Sequence, residues 1–131
     1  MKAIQNIYKL KRIFYRVTTI VIAIAYMATG IGNILPISHI AQEMAHLGYP
    51  AYFLKILGGW KMLASIIILI PGIPRIKEWV FAGMIFDLTG AALSRYFSGD
   101  TLQMIIIPIV IAGLVTINYI LRQSMFNRVN Y

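Results

Sequence analysis

The chain reads as an all-α integral membrane protein: an antiparallel four-helix transmembrane bundle with a short extra helix in its first outer loop. Three observations predict this. The sequence is 60% hydrophobic and only 12% charged, where soluble domains carry about a quarter charged residues. It holds four apolar stretches, at 17–35, 52–70, 79–97 and 102–121, and about 19 or 20 residues of helix cover roughly 30 Å, one hydrocarbon core. Finally, the basic residues sort to one side of these stretches. With the N-terminus inside, Lys2, Lys9, Lys11, Arg12, Arg16, Arg75, Lys77, Arg122 and Arg128 all fall on the cytoplasmic side, and the two outer loops hold no Lys or Arg. That asymmetry orients a multi-pass protein of the cytoplasmic (inner) membrane with both termini in the cytoplasm. The 131 residues make one membrane domain.

The net charge of +8 is therefore a footprint of topology and of anionic lipid headgroups. No recognition motif for nucleic acid accompanies it. The absence of cysteine excludes disulfides, thiol nucleophiles and thiolate metal sites.

Residues 1–16 are basic with apolar spacing at Ile4, Ile7, Tyr8, Ile13 and Phe14, which predicts an amphipathic lead-in lying on the cytoplasmic membrane surface. The first span follows. Its apolar run continues well past Ala23-Ile24-Ala25, so an uncleaved helix is expected rather than a signal peptide. Thr18, Thr29 and Asn33 are polar positions within it, and threonine hydroxyls can bond back to their own helix. Pro36 ends the span.

The outer loop 36–50 holds a short helix at 38–47, with Ser38 as N-cap and Gly48 as the residue past the C-cap before Pro50. His39, Glu43 and His46 share one face of it. Two imidazoles and a carboxylate are ligands for Zn²⁺ or Fe²⁺, but adjacent turns of one helix seldom supply a whole set, and polar residues belong on the wet face of an interfacial helix. No metal site is assigned.

The second span carries Gly58, Lys61 and Ser65 as a small-polar stripe, and Pro71-Gly72-Ile73-Pro74 is a turn. The third span carries Gly83, Asp87, Gly90 and Ser94 at i, i+4, i+7 and i+11. A helix places these four on one stripe, which predicts contact with other helices rather than lipid. Ser98-Gly99-Asp100 is a tight turn, and Asp100 with Thr101 can cap the fourth span, which Pro108 is expected to kink. Short connections favour packing between sequence neighbours.

Lys61 and Asp87 each lie about ten residues from a span end, at matching depth near the midplane. A lone charge there costs about 2.5–3.5 kcal/mol on insertion scales, so the two are expected to pair, directly or through water. The pair either fixes the register of spans two and three or serves a wet cavity in which Asp87 is a protonatable or ligand-anchoring group. A second polar cluster is expected near the outer surface from Glu43, Lys55, Arg95 and Asp100. It either pins the loops by snorkelling or forms a vestibule leading toward Asp87. No nucleotide, hydrolase or metalloprotease motif is present. Neither histidine lies within a span, which argues against an intramembrane haem. No catalytic residue is assigned.

Several motifs together resemble the DoxX-like family. They are Leu47-Gly48-Tyr49-Pro50 before span two, Leu57-Gly58-Gly59-Trp60-Lys61 within it, Pro74-Arg75-Ile76-Lys77-Glu78-Trp79 before span three, and Gly90-Ala91-Ala92 with Ser98-Gly99-Asp100 at its end. Lys61, Glu78, Asp87 and the Gly99-Asp100 turn match positions typical of that family. Ser94-Arg95 stands where relatives often have Ser-His, so a role for imidazole there does not carry over. The resemblance implies a small inner-membrane bundle, bacterial in most cases. The family name comes from a subunit associated with thiosulfate:quinone oxidoreduction, and related eukaryotic bundles act as assembly chaperones for membrane receptors. The expected function is accordingly a non-catalytic accessory subunit of a membrane redox or quinone-linked system. The alternatives are an assembly factor for other membrane proteins, or a binder or carrier of a lipophilic ligand or protons through Asp87. The expected partners are the lipid bilayer and another membrane protein subunit, with a homodimer allowed by the exposed helix faces. A quinone is the candidate cofactor.

Overall fold

The computed structural model describes residues 1–35 and 37–127. Pro36 and Arg128, used above to end the first span and to count inner charges, lie outside the described residues. Five helices follow one another: α1 (Lys2–Ile34), α2 (Ser38–His46), α3 (Ala51–Leu69), α4 (Pro74–Phe97) and α5 (Leu102–Phe126). Three of them, α1, α3 and α5, are long and apolar enough to cross a membrane. The fourth long helix, α4, is less apolar because Asp87 and Arg95 interrupt it.

The lead-in does not lie apart from the first span. Residues 2–34 are one helix of 33 residues, because no Gly or Pro occurs before Gly30 to break it. At about 1.5 Å per residue it is roughly 50 Å long, well beyond one hydrocarbon core.

The helix ends follow local chemistry. Gly48 and Gly99 take φ of 85° and 75°, and both helices before them close in the same way. Gly48 N–H donates to Ala45 O and Tyr49 N–H to Met44 O, while Gly99 N–H donates to Tyr96 O and Asp100 N–H to Arg95 O. These paired bonds satisfy the last carbonyls of α2 and α4. Pro74 opens α4 at a position where its missing N–H costs nothing. The expected N-terminal caps do not form. Ile37, not Ser38, is the N-cap of α2, and Thr101 caps α5 without a side-chain bond. Asp100 is engaged elsewhere, as described below. The helix α5 continues through Pro108.

Packing departs from simple sequence adjacency. The main contacts are α1 on α3 and α4 on α5, joined by α1 on α5, whereas α3 and α4 touch only sparingly. The α1–α3 contact is close because two glycines meet there. A Cβ on Gly58 would stand 2.6 Å from Gly30 O, and one on Gly30 would stand 2.9 Å from Gly58 O. Ser65, one stripe position further along, donates to Ala23 O at 2.7 Å. The small-polar stripe of α3 thus faces another helix, as expected. The two glycines of the α4 stripe do not. Gly83 and Gly90 have open space where a Cβ would project, and the packed face of α4 is instead Phe81, Met84, Leu88 and Ala92. These bulkier residues, together with Ile22, Tyr26, Ile68 and Val115, make the core. They hold α4 off α3 along the small-residue side.

One buried polar group ties α5 to α1. Asn118, 1% exposed, donates to Thr18 Oγ1 at 2.8 Å and Thr19 Oγ1 at 2.9 Å. Both hydroxyl protons are already committed to carbonyls of Phe14 and Tyr15, so their lone pairs are free to accept. Large apolar side chains point outward elsewhere, among them Val17, Ile24, Phe86, Val110 and Ile120. That much exposed apolar surface fits a lipid environment.

The glycine contact yields a paired prediction. Gly58→Ala should destabilise the fold by about 1–3 kcal/mol through overpacking against the α1 backbone. Gly59→Ala, with no atom near its Cβ position, should be neutral or stabilising by less than about 1 kcal/mol. Unfolding in mixed micelles at increasing denaturing detergent measures both.

Candidate functional site

The loose seam between α3 and α4 holds the two charges expected to pair, Lys61 and Asp87. Lys61 Nζ lies 3.6 Å from Asp87 Oδ2, with both side chains mostly buried, at 19% and 18% exposure. The expected pair forms, as an ion pair longer than a hydrogen bond. A third group joins it that sequence reasoning missed. Tyr26, in the middle of α1, donates its hydroxyl to Asp87 Oδ2 at 3.2 Å, with Met84 O at 3.4 Å. Its ring lies 5.9 Å from Lys61 Nζ. The signal was available, since a tyrosine within an apolar span must find a partner for its hydroxyl.

The pair is not sealed in protein. Tyr26, Lys61 and Asp87 all line a cavity of about 580 Å³, walled by Leu57, Ala64, Ile67 and Val80 and edged by the exposed Trp60 and Trp79. A second cavity of about 440 Å³ also reaches Lys61 and Asp87 and runs to Glu43, Tyr49 and Arg95. The charge pair stands where an apolar cleft and a more polar vestibule meet. Among the described residues, Asp87 accepts only the Tyr26 hydrogen bond and Lys61 donates none. Carboxylate and ammonium therefore keep bonding capacity for water or a ligand. Gly83 faces the cleft and Gly90 faces the vestibule, so the two glycines of the α4 stripe bound open space, while Asp87 and Ser94 between and beyond them make the polar contacts.

The outer cluster also assembles, with one change of membership. Arg95 Nη2 is 3.4 Å from Glu43 Oε2, and Arg95 Nη1 donates to Asp100 Oδ2 at 3.1 Å. His46 Nε2 meets Asp100 Oδ1 at 2.7 Å. Lys55 is exposed and joins no ion pair among the described residues. Its place is taken by His46, drawn in because the two helix-ending glycine turns bring the ends of α2 and α4 together. Arg95 thus pins α2 and also lines the vestibule. Tyr49 and Ser94 bond hydroxyl to hydroxyl at 2.5 Å beside it. His39 stands 3.7 Å from Glu43, but with His46 turned to Asp100, no three metal-ligating side chains gather among the described residues. Glu78 is exposed.

The Asp100 carboxyl is held below the usual carboxylate range chiefly by the His46 hydrogen bond; desolvation opposes this, and the hydrogen bond and charge of Arg95 add to it. A depressed folded-state pKa stabilises above the unfolded value, about 3.9, and is lost as pH falls through the lower folded value. Docking of α2 should therefore persist as pH drops past about 4 and fail only below that. Asp100→Asn should loosen α2 at neutral pH. Hydrogen exchange of the α2 amides, corrected for intrinsic rates, measures both.

A model of the DoxX-like family matches residues 17–117. That span includes Tyr26, Lys61, Asp87 and the outer cluster. No curated protein and no solved structure matches the chain. The match takes in well over half of the sequence and agrees with the motifs around Lys61 and Asp87, so the chain belongs to the DoxX-like family.

Proposed function

We propose that this protein binds a lipophilic molecule with an apolar body and one hydrogen-bonding head, of the kind a quinone represents, and that it does so as a non-catalytic accessory component of a membrane redox system. All four long helices, α1, α3, α4 and α5, cross the cytoplasmic membrane in this reading. The basic ends face the cytoplasm and α2 lies at the outer surface. The observation that carries the proposal is the position of Tyr26, Lys61 and Asp87 at the inner wall of an apolar cavity of about 580 Å³. That volume lies within the range of small-molecule sites, about 300–1,000 Å³, and such sites pair apolar walls with a few convergent polar groups. The under-bonded Lys61 ammonium suits a carbonyl oxygen, and Asp87 suits a hydroxyl. The vestibule beyond gives the same pair a polar side, through which a proton can reach it.

Lys61 and Asp87 are read as groups that hold a ligand rather than as an acid and base acting on one. The second reading, an assembly factor for other membrane proteins, draws on the same seam. A cleft edged by Trp60 and Trp79 could receive a client helix instead of a small molecule.

One experiment separates them. The protein is extracted gently into native lipid discs and everything retained is identified by mass spectrometry. A stoichiometric lipophilic molecule is expected, with retention reduced about tenfold or more in Asp87→Asn, since a hydrogen bond to a charged group contributes about 1.5–3 kcal/mol. Gly83→Phe should exclude it as well, because that position has room to fill the cleft without touching the polar groups. Retention of a protein partner with no lipophilic molecule, and loss of that partner in Gly83→Phe, would sink the ligand reading in favour of the second.

A further inference from the structure

The basic end of the molecule holds a third cavity, of about 540 Å³, unrelated to the Lys61–Asp87 seam. Arg12, Tyr15 and Arg16 of α1, the Pro71-Gly72 turn and Lys77 of α4 enclose it, and Ile68 and Phe126 belong to its apolar wall. Lys77 is the unusual member. It is only 8% exposed, it lines the cavity, and no carboxylate pairs with it among the described residues. A second buried cation belongs to α5. Arg122 is 6% exposed, and its Nε has no hydrogen-bond partner among the described residues. Burial, and after it the Arg122 charge, push the Lys77 ammonium below its ordinary range.

Among the described residues, the acids are all elsewhere. Of the four in the chain, Glu43 and Asp100 hold Arg95, Asp87 holds Lys61, and Glu78 lines a separate cavity between α4 and α5. A buried cation without a counter-charge is costly, and here two are buried beside two more arginines. Such a cluster is relieved by an anion from outside the chain.

We propose that this cavity binds the phosphate of an anionic lipid headgroup, with Lys77 at its centre, Arg12 and Arg16 at its edge, and the apolar wall taking the glycerol and upper chains. Phosphate is shared by lipids and by the free anion. The mixed lining favours the lipid, since a free phosphate gains nothing from Ile68 or Phe126. This site does not depend on the ligand reading above.

The test uses the full chain in detergent, with native mass spectrometry and thermal unfolding in dihexanoyl phosphatidylglycerol, dihexanoyl phosphatidylcholine or inorganic phosphate. Phosphatidylglycerol should bind and raise the unfolding temperature, and phosphatidylcholine should not. Lys77→Gln should weaken phosphatidylglycerol binding about tenfold, and Lys77→Arg should retain it. Arg75→Gln, an exposed cation in the same turn, should change nothing. If Lys77→Gln does not fold, Arg16→Gln, at the exposed edge of the same cavity, should show a smaller loss of the same lipid. Equal binding of the two lipids, or equal losses from Lys77→Gln and Arg75→Gln, would overturn the site. Inorganic phosphate binding as tightly as phosphatidylglycerol, with the same dependence on Lys77, would overturn the lipid in favour of the free anion.

Discussion

The close approach of α1 and α3 at Gly30 and Gly58 sets the rest of the molecule. With no Cβ on either side, two backbones meet nearly in contact, and α3 is committed to α1. The remaining long helices then pair with each other through Phe81 and Tyr119, whose rings lie 5.4 Å apart, and through Val115. The gap falls between α3 and α4, which touch only sparingly. The Lys61–Asp87 pair lies in that gap. In lipid there is no hydrophobic force to draw helices together, and close packing has to hold them. A contact made by two glycines can therefore decide where the opening falls.

Polar groups in this chain are sparse and consistently placed. Asn118 joins α5 to α1, Ser65 joins α3 to α1, and Tyr26 carries a hydroxyl from α1 across to α4. Each crosses between helices and each is buried or nearly so. Asn118 keeps a buried Oδ1 without a partner among the described residues, and the Tyr26 group leaves capacity unspent at Lys61 and Asp87. What sets the Tyr26 group apart is that it lines a cavity of about 580 Å³.

Much of the architecture was legible in advance. Element positions followed from apolar run length, and Gly48 and Gly99 ended helices where their freedom at positive φ was needed. The Lys61–Asp87 pair followed from depth alone. What could not be read was which side of each helix packs. On α4, the small stripe and the bulky stripe at Phe81, Met84 and Leu88 are both continuous helical faces. Periodicity does not say which is pressed against a neighbour and which bounds a cavity. The partner of Tyr26 was hidden for the same reason, since it depends on rotation of α1 against α4. The change from Lys55 to His46 in the outer cluster came from the relative placement of two loop ends, which no spacing within one helix encodes.

The seam edged by Trp60 and Trp79 has one consequence for how any guest would be measured. Both indoles are largely exposed on the flank of the molecule, and in the proposed membrane arrangement that flank would face the hydrocarbon rather than water. A guest would come sideways out of the bilayer, and its effective concentration would be its mole fraction among the lipids. Diluting the membrane with more lipid at a fixed total amount of guest would then lower occupancy, and adding buffer would not. An affinity quoted per litre of solution would drift with the amount of membrane in the tube, while one quoted per lipid would stay constant.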